Sequence, residues 1–117
     1  MNKPTSNTSY LPHHRLIAYQ VATELLQAVL LADLRDRKLR DQAQRAAISV
    51  CCNIAEGAGR ISKGDKSRAF AIARGEAVEA VACMEIAAMT RQADAELAAR
   101  CVALGGRLVA LLTGLAR

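Results

Sequence analysis

Apolar residues recur along this chain at three- and four-residue steps, and the rhythm divides it into four segments. From about His13 to Ala32 the apolar positions are Ala18, Val21, Ala22, Leu25, Ala28, Val29 and Ala32, one face of a helix, with Gln20, Thr23, Glu24 and Gln27 opposite. The charged stretch 33–38, DLRDRK, has no such period and reads as the first turn. A second helix is predicted from about Leu39 to Ala58, burying Leu39, Ala43, Ala47, Val50, Ile54 and Ala58. Gly57 and Gly59 near its end suit a C-terminal cap, where positive φ is often needed. Ser62 and Asp65 have the spacing of a capping box, so a third helix starts near Lys63 and runs to about Arg91, burying Phe70, Ala73, Ala77, Val81, Met84 and Ala88. Asp94 opens a fourth. There Leu97, Cys101, Leu104, Leu108, Leu111 and Leu115 form one row, and Ala98, Val102, Gly105, Val109, Leu112 and Ala116 form a neighbouring one. A stripe this wide either sits deep in a bundle or buries a second face against another subunit.

Short connections between helices of this length predict an all-α fold, an antiparallel up-down-up-down four-helix bundle over residues 13–117. Residues 1–12 are polar, contain both prolines and read as a flexible N-terminal tail. Composition agrees with helix: 52% of residues are hydrophobic, enough for a core, but aromatics are limited to Tyr10, Tyr19 and Phe70. A core so rich in alanine is thin for 117 residues, which favours self-association. No segment has the h-region of a signal peptide or approaches the length of a membrane span, so the expectation is a soluble, cytoplasmic protein without membrane contact.

Charge adds a direction. The net charge is +5, and residues 35–74 hold ten basic against four acidic residues, a local +6, while the remainder is −1. Such a field attracts phosphate backbones. Arg45, Arg60, Lys63, Lys66, Arg68 and Arg74 are the candidate nucleic-acid-binding residues. The scarcity of aromatics argues against recognition by base stacking.

Catalytic chemistry is harder to assemble. Arg45, Ser49, Asn53, Glu56 and Arg60 fall on one polar row of the second helix, opposite its apolar face. Glu76 and Glu79 share a side of the third helix with Ile72, Cys83 and Ile86, so Glu79 needs a cationic partner and an arginine is the natural one. Glu56 and Glu79 as paired catalytic carboxylates would require a pocket and one raised pKa, which no sequence feature supplies. The expectation is no enzyme, no catalytic residue and no cofactor. Metal is not expected either: His13 and His14 stand at a helix start, expected exposed, and Cys51, Cys52, Cys83 and Cys101 lack ligand spacing.

The segment 42–79 carries Arg45-Ala46-Ala47, Ser49-Val50, Asn53-Ile54-Ala55-Glu56-Gly57, Arg60, Ser62, and Ile72, Ala73, Gly75 and Glu79. These motifs resemble the four-helix-bundle family of 23S rRNA intervening-sequence proteins. Glu76 stands where the family often has serine, and the aromatic residues and longer first loop of that family are missing. The resemblance implies a bundle that assembles into a ring of five. Some relatives are encoded within rRNA intervening sequences, and others are accessory proteins of diversity-generating retroelements that bind nucleic acid and a reverse transcriptase. Asn53, Glu56 and Glu79 are read from their own chemistry as structural or interface residues, and Gly57 and Gly75 are placed with them. The expected function is therefore a non-enzymatic homo-oligomeric binding or scaffold protein whose basic surface contacts nucleic acid, RNA or an RNA–protein complex, with RNA and DNA both open as partners. The alternative is a structural module whose partner is a protein.

Overall fold

The computed structural model describes residues 10–117, so the expected tail is described only from Tyr10 onward. The chain is all-α: α1 (Ile17–Leu31), α2 (Arg37–Gly59), α3 (Lys63–Met89) and α4 (Ala95–Ala116), with no strand among the described residues. Helix α2 packs on α3, α3 on α4, and α1 closes the bundle against both α2 and α4.

Most boundaries follow from caps. The Asp36 carboxylate accepts the Lys38 N–H, which starts α2 two residues before the periodicity does. Ser62 Oγ accepts the Asp65 N–H at 3.1 Å, and Asp94 Oδ1 accepts the Leu97 N–H at 2.7 Å, so both expected N-caps are present. The first helix differs from expectation. Pro12–Arg15 form a separate 3-10 turn, and Leu16 is extended (φ −80°, ψ 127°), so α1 begins only at Ile17. Pro12 fixes the turn's first φ, and the Leu11 N–H donates to His14 Nδ1 at 3.1 Å, closing it locally. His14 is exposed as expected. His13 is half-buried instead, its ring edge-on to Tyr19 with centroids 4.7 Å apart.

The expected glycine cap is also corrected. Helix α2 runs through both Gly57 and Gly59, and no described glycine has positive φ. Gly57 is small for a packing reason: a Cβ there would stand 2.8 Å from Phe70 Cε1. The positive-φ residues lie elsewhere, at Asp33 (φ 49°) and Arg91 (φ 62°), in the α1–α2 and α3–α4 connections. These connections meet, since the Asp36 N–H donates to Gln92 Oε1 at 2.8 Å.

The core is apolar throughout, with no buried polar or charged residue among those described. Leu25, Leu34, Ile54, Met84, Leu108 and Leu112 are its large fully buried side chains, and Phe70 its one buried aromatic. Alanines at 43, 46, 47, 73, 77 and 80 fill the α2–α3 seam with no exposure, so these two helices approach closely. In α4 the buried positions are Ala98, Cys101, Gly105, Leu108 and Leu112, a line running between the two rows. Both flanks stay partly open, and only 28% of the most apolar 18-residue window of α4 is buried. Contrary to the sequence expectation, α4 is by length and composition long and apolar enough to cross a membrane; Arg100 and Arg107 are the only charges between Glu96 and Arg117.

Candidate nucleic-acid interface

The basic segment, continuous in sequence, is divided in space by α2. Arg35, Arg37, Lys38 and Arg40 cluster at its start, whereas Arg60, Lys63, Lys66 and Arg68 gather around its end. Twenty-three helical residues separate the two groups by about 33 Å at 1.5 Å per residue.

Around the α2–α3 turn the polar row and the cationic residues converge on a cleft of about 290 Å³. Asn53 and Glu56 line it from α2, Arg60 from the C-cap just beyond, and Asp65, Arg68, Ala69 and Ile72 from α3. Asn53 Nδ2 donates to Ser49 O at 2.9 Å and Ser49 Oγ at 3.0 Å, which fixes the amide against its own helix. Arg60 reaches back one turn to Glu56 at 2.8 Å, and that carboxylate pushes the exposed guanidinium pKa upward. The sequence missed the cleft itself, together with Asp65 and Ile72 as lining residues. The available signal was their recurrence with Arg68 and Ala69 at three- and four-residue steps on one side of α3.

The six basic candidates are not equivalent. Arg45 is held by Glu79 at 2.7 Å and lies 3.7 Å from Glu76, which provides the cationic partner expected for Glu79. Arg45 is 58% exposed and Glu79 37%, so solvent screens their link and it is worth about 1 kcal/mol or less. Glu76 Oε1 is itself buried without a hydrogen-bond partner. Lys66 Nζ donates to the Gly57 and Ala58 carbonyls at 3.3 and 3.0 Å, satisfying the C-terminal end of α2 and its negative dipole. Arg74 Nε donates to Thr113 Oγ1 at 2.8 Å, tying α3 to α4. Lys63 and Arg68 are exposed and form no ion pair among the described residues; of the six candidates Arg60 and Arg68 line the cleft, and Lys63 stands outside its lining at the start of α3.

The carboxylates Glu56 and Glu79 both carry an arginine, and only Glu56 lines the cleft. Gly75 is exposed, and a Cβ there would meet nothing within 4 Å, so nothing within the protomer requires a glycine. The thiols are ordinary buried groups apart from exposed Cys52. Burial, with Cys52 beside it, pushes Cys51 up to about 11, and burial also raises Cys83 and Cys101.

The fold and the site together define a small all-helical bundle that carries a charged, half-open cleft at one inter-helix turn. The chain belongs to the 23S rRNA-intervening sequence protein family, whose pattern matches residues 14–114, nearly the whole bundle. No curated protein matches it.

Proposed function

We propose that this chain is a non-enzymatic, homo-oligomeric binding protein of the cytoplasm that contacts nucleic acid, RNA foremost, through the cationic end formed by α2 and α3. The observation that carries the proposal is that exposed Arg60 and Arg68 line one cleft, beside Glu56 and Asp65, with exposed Lys63 at the start of α3, in a member of a family named for an rRNA insert. Guanidinium and ammonium groups arranged in this way neutralise phosphates without reading bases. The tethering of both Glu56 and Glu79 by arginines, with only one of them at the cleft, supports binding rather than carboxylate-pair catalysis.

An antiparallel up-down-up-down topology fits the contacts. Arg45 meets Glu79 while Lys66 meets Ala58, and Arg74 meets Thr113 while Val81 lies against Gly105, so numbers rise on one helix as they fall on the next. Assembly into a ring, five subunits by family resemblance, would repeat the cationic end and raise avidity for a long polyanion.

The experiment is retention of labelled RNA and duplex DNA across a salt series. Binding is expected at about 50 mM salt with a steep loss on raising it, and the Lys63→Ala, Arg68→Ala double variant should lower the log–log salt slope by about two. Absence of retention at the lowest salt, with the assembly intact, rejects the nucleic-acid reading. The second reading, a protein-interaction module without a nucleic-acid ligand, is favoured by the apolar groove between α3 and α4; its signature is indifference to polyanions.

A further inference from the structure

The cleft at the α2–α3 turn is electrically balanced, Glu56 and Asp65 standing against Arg60 and Arg68. Two carboxylates in the lining oppose entry of a phosphate, which leaves the backbone of a polyanion to exposed cations at the rim and beyond it, Lys63 among them. At about 290 Å³ the cleft stands at the lower end of small-ligand sites, about 300–1,000 Å³, room for one flat ring. Three of its polar groups are unclaimed among the described residues. The capping box that Ser62 and Asp65 suggest forms only by half: Ser62 Oγ accepts the Asp65 N–H, but the Asp65 carboxylate accepts no hydrogen bond in return and lines the cleft instead. Arg68, one turn on, forms no ion pair with Asp65 or Glu56, although spacing of three residues sets Asp65 and Arg68 side by side. Asn53 commits its Nδ2 to Ser49, which leaves its Oδ1 as a free acceptor. An accepting carboxylate and a donating guanidinium thus flank one opening without neutralising each other, beside Ile72, 43% exposed.

We infer that this cleft seats the base of an unpaired guanosine nucleotide. Guanine is the one standard base whose pairing edge presents two adjacent donors, N1–H and N2–H, beside an acceptor, O6. The two donors match the two oxygens of the Asp65 carboxylate, and O6 matches the Arg68 guanidinium. Adenine and cytosine set one amino group beside a ring acceptor, and uracil sets a lone N–H between two acceptors, so each turns at least one lone pair against the carboxylate. The faces of the ring are served by Ile72 and by the Arg60 guanidinium, which its ion pair with Glu56 holds in place. Stacking on a guanidinium plane replaces stacking on an aromatic one, and the lining contains no aromatic residue. In a duplex the same edge is already paired, so the ligand is a single strand or a loop. The inference rests on the nucleic-acid reading of the proposed function and adds selectivity for one base to it.

The test uses the full chain and labelled oligouridylates, plain or carrying one central guanosine, inosine, adenosine or cytidine. Guanosine should tighten retention about tenfold over the other standard bases, and inosine, which keeps N1–H but lacks the N2 amino group, should fall between. Asp65→Asn keeps the Ser62 cap, which bonds the backbone N–H, and should leave helical circular dichroism unchanged. It should erase the guanosine preference without weakening retention of the plain oligouridylate, because it removes a negative charge and no positive one. Equal retention of all the oligomers by the wild-type chain, or inosine held as tightly as guanosine, overturns the base pocket and leaves the phosphate contacts standing. A guanosine preference that survives Asp65→Asn overturns its assignment to this cleft. Failure to retain any oligomer at about 50 mM salt overturns the nucleic-acid reading itself, and the base pocket with it.

Discussion

Phe70→Ala is expected to destabilise the fold by about 3–5 kcal/mol, the cost of truncating a buried aromatic side chain. The ring is 4% exposed and is the only phenylalanine in the sequence. It lies in the first third of α3 against Gly57 of α2, where no larger side chain of α2 could stand. Against a native stability of about 5–15 kcal/mol for a typical domain, the loss is large. Urea unfolding followed by far-ultraviolet circular dichroism should show a clearly lower midpoint with an unchanged slope. Phe70→Leu, which keeps most of the volume, should recover more than half of the difference.

Gly57→Val tests the same contact from the other side. A Cβ at position 57 would stand 2.8, 3.0 and 3.1 Å from three atoms of the Phe70 ring, and that ring is enclosed and has little room to retreat. Overpacking of this kind costs about 1–3 kcal/mol, and the added branch at Cβ places valine toward the upper end. Gly57→Ala should be milder, because the gain of about 1 kcal/mol in helix propensity offsets part of the clash. The diagnostic result is the pair: adding Phe70→Leu to Gly57→Val should give less destabilisation than the two single changes together, with a coupling of about 0.5–3 kcal/mol in a double-mutant cycle. Strict additivity would mean that the glycine is there for some reason other than the ring.

Four helices, their order and most of their inner faces were readable because burial here is periodic and the caps are local. Ser62 and Asp94 announce their helices within three residues, and Ala18, Val21, Leu25 and Val29 need no partner to be recognised as one face. What failed depended on contacts made far along the chain. Gly57 looked like a helix terminator from its neighbours, whereas its size answers to Phe70, thirteen residues later. Asp33 and Arg91, the residues that do adopt positive φ, carry no glycine signal. The basic segment was correctly located in sequence but not in space, because α2 runs through the middle of it and sends its two halves to opposite ends. Arg45 with Glu79 was legible as a need for charge compensation, while the positions of Lys66 on the α2 carbonyls and Arg74 on Thr113 required the tertiary fold. The cleft beside Asn53 is a shape between two helices, and no single-helix pattern encodes a shape.

The two positive-φ residues sit in connections joined by the Asp36–Gln92 hydrogen bond. Each pays roughly 1–2 kcal/mol in steric conflict between its Cβ and the following carbonyl, so one pole of the molecule stores backbone tension that the Ser62-capped pole, where no described residue is left-handed, lacks. Thermal breathing should therefore begin at the tense pole and leave the α2–α3 cleft, at the relaxed one, as the more rigid end of the molecule.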